Sequence, residues 1–422
     1  MKPRPPEVEV RVGMGVYATQ SPPCRARMRV SDDDFRVTEL VNLEDVKREE
    51  SPGALPLYRL EKRGSDTLHV ARRISKHLES RVSFGGMKDK HAVATQYLTP
   101  TSTRSRRPVL IEEPSFKAEL IGYITRPFSR KRVLGNSFEI TLRDTCGEVE
   151  ARIEEAYSLC RQHRLPNFFG LQRFGTRDPV THLVGRALVG SNFEAGIRYL
   201  LSEPRAGEEA VVREARETAA GGLYAEALRA FTERQDLERT AARRLVEKPG
   251  DFLGALRALP LAIRRFFVHA YQSYLFNRCL TKALLDSLDI SVAVPGDNWS
   301  QLAPDGLTGG EVRGSKEEPI EGALPLIQLV GYSYRDYGSR FDRAVMEVLE
   351  EEGVTPREFY VKDAQEISAE GGFRRAPLTA RCLSYRLSER NATLSFTLAR
   401  GEYATTLLRE ILKPSDPFST GF

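Results

Sequence analysis

Residues 84–96 read FGGMKDKHAVATQ. RVSF runs into this stretch and VATQYLT runs out of it, so residues 81–99 predict strand, irregular turn, strand. Gly85 and Gly86 permit a backbone turn that a Cβ would obstruct. Asp89 then stands between Lys88 and Lys90, with His91 following. Neighbouring cations favour an ionised carboxylate, which makes Asp89 a candidate nucleophile or base. Taken alone, G-x-K-D is more often an ordinary turn whose Asp caps a helix or faces solvent.

Elements of both kinds surround this segment. Residues 26–40 alternate and predict a strand. Ser65 or Asp66 can cap a helix running to about Leu78, with Leu68, Ala71, Ile74 and Leu78 inward. Residues 117–143 predict further strands, and 147–163 a helix that buries Val149, Ile153 and Tyr157 and stops before Leu165-Pro166. Residues 180–290 are rich in Ala, Arg, Glu and Leu at helical spacing, the longest helix spanning about 260–288. Segments 378–387 and 392–399 predict a hairpin around Glu389-Arg390-Asn391, and a helix from about Tyr403 to Leu412 follows. A β-rich start, helical middle and β-rich end fit a discontinuous domain interrupted by an insertion.

A second unusual stretch, PNFFGLQRFGTRDP (166–179), crowds three Phe, an Asn, a Gln and two Arg among glycines. Loop aromatics stack on unpaired bases for about 1–3 kcal/mol each, and side-chain amides can read a base edge. At least one of Phe168, Phe169 and Phe174 is expected instead to plug a hydrophobic core.

The 422 residues carry 63 Lys or Arg against 58 Asp or Glu, and 41% are hydrophobic, which describes a globular protein. No apolar run approaches the ~20 residues of a spanning helix. The N-terminal MKPRPPEVEVRVG has charges and prolines where a signal peptide needs an apolar run, so a cytoplasmic protein is expected. Cys24, Cys146, Cys160, Cys279 and Cys382 are odd in number and widely spaced, which predicts idle thiols rather than a disulfide or a zinc site. The six His form no H-x-x-x-H pattern, and no metal is expected. Residues 51–132 hold 17 Lys or Arg but 7 Asp or Glu, a net +10 in a chain of net +5. Arg104, Arg106, Arg107, Arg126, Arg130, Lys131 and Arg132 lie there among interleaved aromatics, a composition suited to a phosphate backbone and unstacked bases. GGEVRGSK (309–316) lacks the Lys of a phosphate loop, VGMGVY (12–17) lacks the third Gly of a dinucleotide fingerprint, and no G-x-S-x-G is present.

Together these segments resemble the TruD family of pseudouridine synthases, with its archaeal and eukaryotic relatives. The family's G-x-K-D-x-x-A-x-T-x-Q is matched by Gly86, Lys88, Asp89, Ala92, Thr95 and Gln96. Its N-x-F-G-x-Q-R-F-G is matched by Asn167, Phe169, Gly170, Gln172, Arg173, Phe174 and Gly175. Its D-F-x-V-x-E is matched by Asp34, Phe35, Val37 and Glu39, with Arg29 at the preceding basic position, commonly Lys. Its G-x-aromatic-A-T-x-x-x-R-E is matched by Gly401, Tyr403, Ala404, Thr405, Arg409 and Glu410, and YQSYLFN (271–277) is similar to a helix of the family's middle domain.

The resemblance implies an α/β (α+β) fold: a pseudouridine synthase catalytic domain with a mixed sheet and flanking helices (residues 1–172 and 375–422), interrupted by an inserted α/β TRUD domain (173–374). It implies isomerisation of uridine to pseudouridine in RNA, at uridine 13 of tRNA, with no cofactor, no nucleotide and no membrane; protein partners are not readable. By position, Asp89 is the catalytic carboxylate and Arg29 its electrostatic partner. Phe169 contacts the target base, Asn167 holds the base or its loop, and Phe35 and Tyr403 line the pocket. The uridine must flip out to reach a pocket carboxylate, at a cost of a few kcal/mol. Stacking, with phosphate contacts from Arg130, Lys131 and Arg132, would offset that. The alternative is a non-catalytic RNA-binding or RNA-folding protein on the same scaffold.

Overall fold

The structure, a computed structural model, describes residues 3–175, 178–205, 207–303, 307 and 310–422. Thr176 and Arg177 of the second unusual stretch, and Gly309 at the head of 309–316, lie outside the described residues. The chain divides into two units. A sheet unit takes residues 21–162, 302–310 and 379–422, and a helical unit takes 1–20, 163–301 and 311–378. Residues 1–20, 163–172 and 375–378, which the sequence reading groups with the catalytic part, therefore belong to the helical unit.

The sheet unit is built on strands β1 (Phe35–Val41), β2 (Leu55–Arg63), β3 (Val82–Phe84), β4 (Val93–Pro100), β5 (Leu110–Glu113), β6 (Phe116–Ile124) and β7 (Val133–Leu142), joined by the late hairpin Arg381–Ser388 and Asn391–Ala399. From the hairpin's outer strand the order is Arg381–Ser388, Asn391–Ala399, β7, β1, β4, β2, β6, β5, with β3 also on β4. Among the described pairs only β1 and β4 run parallel, Arg36 lying opposite Val93. β2 runs antiparallel to β4 with Arg63 opposite the same Val93. A parallel pair needs a crossover, and β2 with the helix Thr67–Leu78 occupies it. The segments leading into β1 and β4 and the segment leaving β2 thus meet at one end of the sheet. That end carries the candidate site.

The crossover helix starts where Asp66 accepts a hydrogen bond from the His69 N–H at 2.8 Å. It buries Val70, Ala71, Ile74 and Leu78, and of these Val70, Ile74 and Leu78 pack with Tyr58, Leu60, Leu98 and Phe116 of the sheet. Each such fully buried apolar side chain contributes about 1.5–3 kcal/mol. Leu68, expected inward, is exposed, because the stripe begins at Thr67 and Val70 rather than one position later. The hairpin closes through Ser388 opposite Asn391, and its inner strand, Asn391–Ala399, carries Leu394, Phe396 and Leu398 into the core.

The helical unit is organised around Leu261–Leu285, the longest helix, with Thr181–Val189 laid directly on it. Gly185 makes that crossing possible: a Cβ there would lie 2.0 Å from the Phe267 carbonyl oxygen. Ile263, Phe266, Tyr274 and Leu284, expected inside, are only partly buried; Phe267, Tyr271, Leu275 and Phe276 form the inward stripe. A three-stranded antiparallel sheet (Asn298–Ser300, Leu324–Leu329, Gly372–Arg375) completes this unit. No helix among the described residues is long and apolar enough to cross a membrane.

The expectation of five idle thiols is corrected. Cys24 and Cys146 form a disulfide, with Cα atoms 5.6 Å apart and a sequence separation of 122. Sequence spacing could not show it, since the two are brought together by the lead-in to β1 running back past the end of β7 (Arg27 pairs with Arg143). Closing so long a loop stabilises by up to about 5 kcal/mol in the chain-entropy account. Cys160 and Cys279 are buried, and burial pushes both thiols up to about 12. Thiol titration should therefore find one fast group in the native protein, the exposed Cys382, and three in denaturant without reductant. Five would contradict the disulfide.

Candidate active site

Asp89 lies in the turn between β3 and β4, four residues ahead of the Val93 that pairs with β1. Its side chain is 49% exposed, and its Oδ2 is 2.5 Å from Nη2 of Arg29. Arg29 sits in the lead-in to β1 with φ 55°, a left-handed conformation that costs a non-glycine residue about 1–2 kcal/mol. Three contacts hold it there. Nη1 donates to the Gly421 carbonyl at 2.9 Å, Nη2 meets Asp89, and the guanidinium lies 4.3 Å above the Phe35 ring. Phe35 is itself buried, edge-on to Phe138.

The residues around Asp89 explain the spacing of the motifs. The Lys88 Nζ reaches down between β1 and β7, 3.0 Å from Glu39 Oε1 and 2.7 Å from Asn136 Oδ1. Glu39 and Asn136 are direct partners across those strands. Thr67 Oγ1 accepts the Lys88 backbone N–H at 3.0 Å and pairs with Gln96 Oε1 at 3.1 Å. Gly85 is required: a Cβ would meet Val133 at 2.5 Å and Phe128 at 3.2 Å. Gly86 is not, since a Cβ there meets nothing within 4 Å. Asp34 serves the structure: it accepts from the Ser31 N–H and binds Arg143 at 2.6 Å while buried. Arg409 and Glu410 form a buried pair 2.9 Å apart within the helix Ala404–Leu412, for which Tyr403 is the N-cap residue.

One residue that sequence reasoning missed is Lys62. It is fully buried, and its Nζ donates to the Asp89 and Ser65 carbonyls, both at 2.7 Å. The signal was present: in β2 Tyr58, Leu60 and Lys62 alternate onto one buried face, so a lysine stands at a core position.

In the helical unit, Asn277 of the long helix donates to the Phe169 and Val12 carbonyls, both at 3.0 Å, and accepts from the Phe169 N–H at 2.8 Å. This fixes the backbone at Phe169 and gives the YQSYLFN stretch its purpose. The Phe169 ring packs edge-on against Phe276, with the Arg374 guanidinium 3.9 Å from its centre. Arg374 also donates to Asn167 Oδ1 at 2.6 Å, and Asn167 Nδ2 to the Arg375 carbonyl at 3.1 Å. Phe168 and Phe174 are the core plugs. A separate cavity of about 470 Å³ in this unit is lined by Val184, Arg205, Arg216, Phe266 and Phe267 among others, and includes none of the predicted site residues.

The basic stretch is less uniform than its sequence. Arg132 is held by Asp45 through two 2.6 Å contacts, and that pairing lowers the Asp45 pKa. Arg106 pairs with Glu79 and Arg107 with Glu50. Arg126, Arg130 and Lys131 are exposed and have no ion-pair partner among the described residues. Ser83 Oγ donates to the Phe128 carbonyl at 2.7 Å, which ties this loop to β3 beside the Asp89 turn. Among the described residues no group of three or more His, Cys, Asp or Glu could hold a metal.

Residues 11–411 match the family model described as tRNA pseudouridine synthase D (TruD). The chain belongs to the TruD family. As a member it is a tRNA pseudouridine synthase, an isomerase. It is 34% identical over 99% of both chains to the "Probable tRNA pseudouridine synthase D" of Pyrobaculum arsenaticum, and 31% identical to that of Methanococcoides burtonii over 97% of this chain and 98% of the other. A crystal structure of a chain assigned to TruD from Methanosarcina mazei superposes with a TM-score of 0.76 at 29% identity, covering 97% of this chain and 98% of that one.

Removing Glu39 leaves the mostly buried Lys88 ammonium without its counter-charge. Breaking such pairs costs about 3–5 kcal/mol. Denaturant unfolding of Glu39→Ala should show a loss near the lower figure, since Asn136 still accepts from Lys88. A loss below about 1 kcal/mol would mean the pair does not anchor the turn.

Proposed function

We propose that this TruD member isomerises uridine 13 of tRNA, with Asp89 as the catalytic carboxylate. The observation carrying this reading is the contrast within the Asp89 turn. The carboxylate is half exposed, while Arg29, which pairs with it, and Lys62, Lys88 and Glu39, which tie down the main chain at residues 88 and 89, are mostly or wholly buried. Asp34, by contrast, turns its carboxylate inward and pairs with Arg143.

The reaction breaks the N1–C1′ bond, rotates the base and forms a C5–C1′ bond. N1 gains a proton and C5 loses one, so atoms and electrons balance without an oxidant or co-reactant. A carboxylate can assist by attacking the sugar carbon or by abstracting a sugar proton. Arg29 supplies its counter-charge and orients it by an arginine–carboxylate contact. Phe169 and Asn167, braced by Arg374 and Asn277, are assigned to holding the flipped uridine and its neighbours, and Tyr403 to the aromatic lining. The exposed Arg126, Arg130 and Lys131 are assigned to the RNA backbone, with Arg132 holding the loop through Asp45 rather than contacting RNA. With a tRNA substrate and no membrane-spanning helix among the described residues, the enzyme is assigned to the cytoplasm.

The test is nucleoside mass spectrometry of unmodified tRNA transcripts after incubation with the wild type. Pseudouridine should appear at position 13 and be absent from a transcript carrying cytidine there. No pseudouridine in any transcript that binds would overturn the reading. The affinity should also fall linearly with log salt. Neutralising Arg126, Arg130 and Lys131 together should flatten that slope by roughly three phosphate contacts, whereas Arg132→Gln should destabilise the loop and leave the slope nearly unchanged. An unchanged slope in the triple variant would place the phosphate contacts elsewhere.

A further inference from the structure

A lysine that is fully buried is uncommon, because an ammonium loses its hydration there. Lys62 spends that burial on two main-chain carbonyls, one of them belonging to Asp89. Building on the assignment of Asp89 as the catalytic carboxylate, we propose that Lys62 is a positioning residue for the reaction: its ammonium clamps the Asp89 main-chain carbonyl and sets a fixed positive charge beside the Asp89 turn.

The geometry supports both halves. Residues 85–92 contain no helix or strand, so the place of Asp89 depends on side-chain ties. Arg29 holds the carboxylate and Thr67, Glu39 and Asn136 hold residue 88, but of the described contacts only that of Lys62 holds the carbonyl of Asp89 itself. The charges acting on Lys62 are, in order of weight, Asp89 and Asp66, which favour its ammonium, Lys88, which opposes it, and Asp32, which favours it. Asp89 is thus the strongest of its charged neighbours.

A consequence in pH follows. Burial lowers the Lys62 pKa from 10.5 to about 8, against the pull of Asp89. The neutral amine still has two N–H groups for its two carbonyls, so deprotonation removes the charge without dismantling the turn. Turnover should therefore decline above about pH 8. Stability should move the opposite way. The unfolded chain keeps this proton up to about pH 10.5 and the folded chain releases it near 8, so between those values the unfolded state binds more protons and stability rises with pH. A merely structural lysine would give the stability rise without the loss of turnover.

The experiment compares wild type, Lys62→Met, Lys62→Gln and Asp89→Asn on a tRNA transcript. Single-turnover rates, tRNA affinity and unfolding free energy are measured from pH 6.5 to 9.5. Lys62→Met, which replaces the charge with an apolar chain of similar length, should lower the rate about 10–100-fold, the scale of a misplaced reacting group, with tRNA affinity unchanged. It should lose both the alkaline decline in rate and the rise in stability. Lys62→Gln, which can still donate to the Asp89 carbonyl, should recover part of the rate but not the alkaline decline, and it carries the test if the Met variant does not fold. Wild-type rates in both variants, or an alkaline decline that survives in them, would overturn the role of Lys62. An active Asp89→Asn enzyme would instead overturn the assignment of Asp89; an inactive one beside fully active Lys62 variants would defeat only this inference.

Discussion

The parallel register of β1 on β4, with β2 antiparallel on the other side of β4, is the constraint on which the site depends. Arg36 and Arg63 both lie opposite Val93, one on each side. Three stretches far apart in sequence are thereby delivered to one end of the sheet: the lead-in carrying Arg29, the turn carrying Asp89 and the strand end carrying Lys62. Strand pairing tolerates no one-residue slip here. A shift of one would turn Tyr58, Leu60 and Lys62 to the opposite face and put Arg59 and Glu61 into the core in their place.

Around that end, charge is arranged by depth. At the bottom, Lys88 meets Glu39 and Asn136, and Lys62 meets two carbonyls, so each buried cation has fixed acceptors. At the surface, Arg29 faces an Asp89 that remains open to solvent. Pre-fixed dipoles and charges of this kind need not reorganise when charge develops in a reaction, which is how electrostatic catalysis works in general. The rigidity is local: the ties converge on residues 88 and 89, while Met87 and Lys90 on either side stay exposed.

Much of this was legible in the sequence, for identifiable reasons. The strand–turn–strand reading of 81–99 and the capped stripe of 66–78 matched the elements, and the Gly, Lys and Asp of the turn marked the candidate site. Within the motifs, however, sequence could not separate roles. Asp34 and Glu39 stand in one motif with nothing in the sequence to tell them apart, yet Glu39 anchors Lys88 while Asp34 pairs with Arg143. Arg130, Lys131 and Arg132 read as one basic run, and only the fold brings Asp45 to the last of them. The Cys24–Cys146 disulfide and the hold of Asn277 on Phe169 join residues more than a hundred apart, where no local pattern can signal contact.

The most direct measurement is single-turnover pseudouridine formation by Asp89→Asn at saturating enzyme, beside its affinity for the same tRNA. Asn keeps the size and the polarity of the side chain but not the charge. Product should fall below detection while affinity stays within about twofold, a difference of some 0.4 kcal/mol. Turnover within about tenfold of wild type, equivalent to less than 1.4 kcal/mol of barrier, would contradict a catalytic carboxylate at this position.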